Sequence, residues 1–415
     1  MGNSFGPKWG ISLDLDNRVG LALSIVADSE IDLYLLPDYL DVENNKHEQF
    51  ASGFVLSRYL RQGWQWVDGL DRTNWSLMQN CQLLIYLPFD VETWRRASEW
   101  LGHSDSEYWQ KVQVNCYQSG SELLTAIDKL LSVGRPQSAL DCLYYRFEEK
   151  LPLDNGRTVK ALLDAISLTE PLKTIDTYHV IELIKALQND PESDQDDLFK
   201  VEWAYLSLLD RDQGAEPKLL ETRLATQPEF FCEVIRLIYR SKNEPKQDEE
   251  PDEKTKAIAT NAWQLLYKWK RPPGLHKDGT FSEEDFEAWL KGVKKLCTAS
   301  GHLEIAMIKI GEVLLYCPAD PQGLWIMRTV ASALNARDAA EMRDGFRTEV
   351  YNYRGVHWGD PTGKPERELA KHWRSKADAI ENAGFARFAA TLRELSDSYD
   401  REAEQIIEEH RSRHV

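Results

Sequence analysis

Lys364 lies in the stretch 355–369, GVHWGDPTGKPEREL, where a Gly-Lys step among small residues invites comparison with a phosphate-binding loop. Such a loop needs a glycine six positions before its lysine and a serine or threonine directly after it, so that backbone amides cradle phosphate and the hydroxyl meets magnesium. Trp358 and Pro365 stand at those two positions, and the preceding RDGFRTEVYNYR has the spacing of a helix where a strand is required. The stretch therefore reads as a connector, with Asp360 and Thr362 suited to a turn and Pro365 to the start of a helix. KDGTFSEEDFEAW, from Lys277, echoes half of a calcium loop. Gly274 and His276 occupy the places of its first two carboxylates, and a capping box from Ser282 to Asp285 accounts for the pattern. His410 and His414 are one helical turn apart without a third ligand, the other histidines are dispersed singly, and no HExxH, GxSxG or paired Cys and His signature occurs. No catalytic residue, cofactor site or metal ligand is assigned, and the chain is expected not to be an enzyme.

The remaining chemical signal is aromatic. RQGWQWVDGLDRTNW brings Trp64, Trp66 and Trp75 close together, and YNYRGVHW holds Tyr351, Tyr353, His357 and Trp358. Large rings fill gaps between short helices, and the same side chains anchor partners at interfaces. These residues are the candidate interaction residues.

The scaffold that must position them has a clear period. Apolar residues recur at spacings of three and four almost throughout, and strict alternation is nearly absent, so the fold class is all-α. On the order of eighteen helices joined by short connections marked by Gly, Pro, Asn or Asp are expected, as a helical-repeat array of antiparallel hairpins. Near the end, Phe385, Phe388, Leu392, Leu395, Tyr399, Ile406 and His410 share one stripe and Leu369, Trp373, Ala377 and Ile380 another. Gly384 between them suits a left-handed C-cap and a tight turn. GISLDLDNRVGLALSIV, at the other end, enters a helix almost at once, which suits the terminal part of a longer architecture.

Two stretches repeat one pattern. In SVGRPQSALDCLYYRFEEKLP, Gly134 is followed five residues later by Ala139, then Leu143, with Pro152 closing the segment; in ASGHLEIAMIKIGEVLLYCPADP, Gly301, Ala306, Ile310, Val313 and Pro318 follow the same order. The glycine permits the turn between helices, the alanine lets the second helix approach its partner, the large residue fills the groove and the proline stops the helix. This spacing resembles the second helix of the tetratricopeptide repeats. Arg146 replaces a small residue in the first stretch, Pro152 falls one position late, and the first-helix aromatic pattern of that family is not evident. The chain is thus similar to a degenerate α-solenoid of tetratricopeptide or HEAT type, and the resemblance implies a scaffold or recognition surface.

Four regions are expected: 1–104, an N-terminal helical region; 105–240, helical repeats with the tetratricopeptide-like element at 134–152; 241–256, an acidic linker or exposed loop; and 257–415, helical repeats ending in a long helical hairpin. The boundary at 241–256, SKNEPKQDEEPDEKTK, is charged and lacks apolar residues, whereas Ser104 and Asp105 could cap a new helix at the softer one. NDPESDQDD at 189–197 reads as an ordinary acidic inter-helix loop. Lys268, Lys270 and Arg271, around Trp269, are expected to close the C-terminus of their own helix before Pro272 and Pro273.

The formal charge of −18 disfavours nucleic acid and anionic lipid as partners. Cys81, Cys116, Cys142, Cys232, Cys297 and Cys317 include no Cys-x-x-Cys pair and read as reduced core thiols, and no window approaches about 18 uninterrupted apolar residues. A cytoplasmic location is expected. The functional expectation is a non-enzymatic interaction or scaffold module for a protein or peptide, by analogy of fold part of a bacterial signalling or defence assembly. The alternative is a metal-dependent hydrolase or nuclease assembled from dispersed carboxylates, which a buried pair of carboxylates facing each other across two helices would favour.

Overall fold

The computed structural model describes residues 15–40, 45–119, 122–167, 174–211, 214–243, 252–354 and 360–413. Among these residues there are twenty α-helices, two short 3-10 turns and no strand, with an isolated bridge joining Leu275 and Phe281. The chain packs as two compact units, Met1–Ser193 and Asp194–Val415. The first contains α1 (Leu15–Val26), α2 (Ser29–Tyr39), α3 (Asn45–Asp68), α4 (Leu77–Ile85), α5 (Val91–Leu101), α6 (Ser106–Lys111), α7 (Leu123–Ser132), α8 (Pro136–Glu148), α9 (Asn155–Ile166) and α10 (Thr174–Asn189). The second contains α11 (Gln195–Ala204), α12 (Lys218–Thr226), α13 (Pro228–Ile238), α14 (Glu253–Lys268), α15 (Glu283–Ser300), α16 (Leu303–Leu314), α17 (Arg328–Asn335), α18 (Ala340–Arg354), α19 (Lys364–Asn382) and α20 (Ala386–Arg413).

Local chemistry sets many helix starts. Asp90, Asp154, Asp194, Asp252 and Ser282 each accept a hydrogen bond from a backbone amide of the first turn, satisfying a donor that the helix itself leaves unpaired. Asp194 does so inside the acidic stretch 189–197, where the two units divide. Asp105 precedes α6 without such a bond; its carboxylate instead receives Lys129 Nζ at 2.7 Å, so the expected cap is an ion pair to α7. Ser241 Oγ donates to Ser300 O at 2.8 Å and Asp252 caps α14, so the charged stretch is held at both described ends, while 244–251 lies outside the described residues.

The glycine and alanine pattern has a common geometry. Gly134 and Gly301 have φ of 74° and 75°, and the following amides reach back to Leu130 O and Cys297 O, both at 2.9 Å. Gly384, with φ 93°, repeats the turn through Phe385 N and Ile380 O at 3.1 Å, and Ala389 stands five residues on. Ala139, Ala306 and Ala389 are all fully buried. The Gly384–Ala389 member is a third instance that the sequence comparison passed over.

Two further glycine pairs mark very close helix approaches. A Cβ added to Gly20 of α1 would stand 2.1 Å from Phe50 O, and one added to Gly53 of α3 would stand 2.1 Å from Asn17 O. In the second unit, Cβ atoms at Gly311 of α16 and Gly345 of α18 would meet Met342 O at 2.0 Å and Ile308 O at 1.9 Å. In both pairs each glycine comes three residues after the residue that its partner touches. Only glycine permits carbonyls at that range, and reciprocal glycines let two backbones cross with no side chain between them.

Around the second crossing, Phe346 meets Phe388 and Trp373 edge-on with ring centroids 5.3 and 6.4 Å apart, and α19 packs along α20. Phe231, Trp269 and Trp289 make a second aromatic nucleus, centroids 5.3 to 6.2 Å apart, beneath α13 to α15.

Candidate functional site

The residues selected from sequence have different fates. α3 carries a non-helical Gly63, φ 62° and ψ −154°, which turns the chain just before Trp64 and Trp66. Trp66 is buried, and its Nε1 donates to Asp32 Oδ2 at 2.9 Å. Asp32 is also the partner of buried Arg58, whose Nε and Nη2 reach Asp32 Oδ1 at 3.1 and 2.9 Å while Nη2 donates to Asp28 O at 2.9 Å. Trp66 therefore completes a buried ion pair joining α2 to α3. Trp64 is half-buried, with the Arg96 guanidinium 3.8 Å from its ring centre and Tyr59 against its edge. Trp75 is half-buried as well. Tyr351 and Tyr353 are both exposed, the first packing on Tyr399 at 5.2 Å and the second touching Tyr316 at 6.2 Å. His357 and Trp358 lie outside the described residues.

Tyr353 marks the edge of a polar cluster that sequence reasoning missed. Tyr316, just past α16, donates its hydroxyl to Glu349 Oε1 of α18 at 2.5 Å, and Lys270 Nζ reaches the same oxygen at 2.9 Å. Lys309 pairs with Glu312 on α16 at 2.8 Å. Burial raises the Glu312 carboxyl above its ordinary range and the Glu349 charge adds to that, while Lys309 and Lys270 oppose it. Burial likewise drives Tyr316 upward, with Glu349 as hydrogen-bond partner reinforcing it, so this phenol keeps its proton. Nearby, burial pushes Glu221 up to about 7; the charge of Arg211, with Nη2 3.2 Å from the carboxylate, pulls the other way.

Glu312 and Glu349 are thus carboxylates on neighbouring helices, close enough for one charge to raise the other's affinity for a proton. Each already has a lysine. Among the described residues no three His, Cys, Asp or Glu side chains converge on a possible metal position. The cluster gathers two carboxylates, two lysines and a phenol. Its only local trace in the sequence is the Lys309–Glu312 spacing; the other pairs join residues far apart along the chain.

The basic triplet also acts between segments. Lys268 Nζ donates to Leu206 O and Leu209 O at 2.8 and 2.6 Å, Lys270 enters the cluster above, and Arg271 Nη2 donates to Leu275 O at 2.8 Å. The expectation that these cations close their own helix is corrected. Carbonyls in the segment after α11 capture Lys268, a carboxylate of α18 takes Lys270, and the carbonyl of Leu275 takes Arg271.

Two outward faces are strongly apolar. On α14, Trp263 and Tyr267 are 49% and 66% exposed and stack with centroids 5.4 Å apart and planes 11° from parallel. On α1, Val19, Leu21, Ala22, Ile25 and Val26 are exposed, Val26 to 78%, and Leu33 and Tyr34 of α2 are exposed as well. No helix among the described residues is long and apolar enough to cross a membrane. No family model, curated protein or solved structure matches the chain.

Proposed function

We propose that the chain is a non-enzymatic scaffold of α-solenoid type, made of antiparallel helical hairpins, that binds a protein or peptide in the cytoplasm. The observation that carries this reading is the stacked, exposed Trp263–Tyr267 pair. Residues 263 and 267 are one turn apart on a helix whose other face, Ala262, Leu265 and Leu266, is already buried, so the rings are surplus to the core. Two rigid aromatic side chains offer large contact area at low entropic cost, the chemistry of an interface anchor.

The repeat reading is supported by the three glycine and alanine units at 134–139, 301–306 and 384–389, and by the partners along α19 and α20. Ala370 O receives Ser396 Oγ, while Arg393 reaches back to Asp378 and Glu381, so numbers rise along one helix as they fall along the other. A signalling or defence assembly remains an analogy of fold.

Cross-linked affinity capture from the native host tests the reading. A discrete partner retained by the wild type and by Thr260→Ala, but lost with Trp263→Ser/Tyr267→Ser at unchanged Tm, is the expected result. Capture indifferent to the double variant would remove the role of these rings. The second reading, a hydrolase, is favoured by Glu312 and Glu349 alone. Divalent-metal-dependent hydrolysis of nucleic acid or phosphoesters abolished by Glu349→Gln would establish it in place of the first.

A further inference from the structure

The outer face of α1 carries an inference independent of the Trp263–Tyr267 reading. LDNRVGLALSIV is apolar around most of its circumference, and helices of that kind are ordinarily buried on all sides. Here, among its described side chains, only the stripe Asn17, Gly20 and Ser24 is buried, against α3. The same glycine crossing in the second unit has a different surround. There α13 and α15 also pack on α16, and Glu304 alone of its residues stays exposed. Among the described residues, the crossing in the first unit therefore lacks a covering helix that its counterpart possesses.

We propose that a second copy of this chain supplies that cover, with α1 packing antiparallel on α1 of its partner about a two-fold axis. Val19, Ala22 and Val26 recur at spacings of three and four, which is the seam of two interlocking helices. Ala22 is at the centre of that stripe. A small residue is wanted there, because the axis brings the two backbones closest at that point. The charges at the rim are self-complementary: exposed Arg18 is near the N-terminal end of α1, and exposed Glu30 begins α2 just beyond its C-terminal end. Antiparallel packing sets the end of α1 that carries Arg18 beside the other copy's C-terminal end, from which Glu30 follows. Leu33 and Tyr34, on the same helix as Glu30, extend the apolar patch beyond the seam.

Sedimentation equilibrium of the full chain over a wide concentration range tests this. The wild type should form a dimer that dissociates on dilution. Val26→Glu would place a carboxylate in the seam and weaken the dimer about a hundredfold or more. Its melt should stay that of the free wild-type monomer, because Val26 is 78% exposed. Arg18→Glu should weaken the dimer about tenfold, and Arg18→Glu/Glu30→Arg should restore it, since only a cross-copy pair is repaired by exchanging both charges. A wild type monomeric at every concentration overturns the proposal, as does a dimer indifferent to Val26→Glu. Either failure leaves the Trp263–Tyr267 reading standing.

Discussion

The α1–α3 and α16–α18 pairs use one device in two surroundings. Each crosses through reciprocal glycines placed three residues after their contact points, with carbonyls where Cβ atoms would otherwise stand. α16 is then enclosed by α13 and α15, whereas α1 keeps Val19, Leu21, Ile25 and Val26 in solvent. Apolar composition thus states what a helix is able to bury, and the neighbours decide what it does bury. An uncovered face on a helix with buried-type composition is the informative exception, because single exposed apolar residues are ordinary on any surface.

The comparison breaks most sharply at Asp32. In the first unit α3 is also tied to α2 by the Asp32–Arg58–Trp66 group, and Asp32→Ala would leave a buried guanidinium without its charge partner. A loss of about 3 to 5 kcal/mol is expected, read as an earlier melt followed by Trp fluorescence. An unchanged melt would mean that the pair has no part in holding α2 to α3.

Gly20→Ala and Gly311→Ala test whether the two crossings are alike. Both should cost about 3 kcal/mol by overpacking, since a methyl group at either position meets a backbone oxygen that no rotamer can move aside. Tolerance at one and not the other would end the equivalence.

Glu221 sharpens the contrast through pH. Its folded carboxyl is raised from an ordinary 4.5 to about 7 by burial, so the folded state holds a proton that the unfolded chain releases between those values. The stabilisation is complete below about pH 4.5 and is lost as pH rises through about 7. Stability should therefore fall by about 2 kcal/mol from pH 5 to pH 8, and Glu221→Gln should flatten that part of the profile. Denaturant midpoints across the range provide the check, and an equal slope in the variant would assign the dependence to other groups.

Smaller effects are expected at the repeat alanines. Ala306→Leu should cost about 1 to 3 kcal/mol, and Ala319→Leu, at an exposed site, should stay within about 0.5. Two thermal melts compare them. The recurring pattern points to Ala306 as its tight position, and Ala306 is fully buried, yet α16 also has at Gly311 a site where an added Cβ would stand 2.0 Å from Met342 O.

That pair of sites shows what the sequence does and does not disclose. Helical period, the glycine turns and the pairing of the last two helices are local, and they were legible: Phe388, Leu392, Leu395 and Tyr399 are buried as their spacing requires. Thr362 donates to Asp360 in the connector before α19, as their residue types suggest. The glycine crossings were not legible. Gly20, Gly53, Gly311 and Gly345 are inside helices, where glycine normally signals weakness, and their purpose depends on a partner about thirty residues away. The Lys270–Tyr316–Glu349 cluster was hidden for the same reason. Of the aromatic candidates, Tyr353 is exposed and Trp66 serves the core, while Trp263 and Tyr267 escaped notice because WQLLY reads simply as an apolar helix turn.

Hydrogen exchange of backbone amides, followed by mass spectrometry at several protein concentrations, tests the central contrast most directly. The account predicts strong protection of α16 at every concentration, and protection of α1 that is weak in dilute protein and rises as copies associate. Protection of α1 equal to that of α16 in the most dilute sample, or unchanged with concentration, would contradict it.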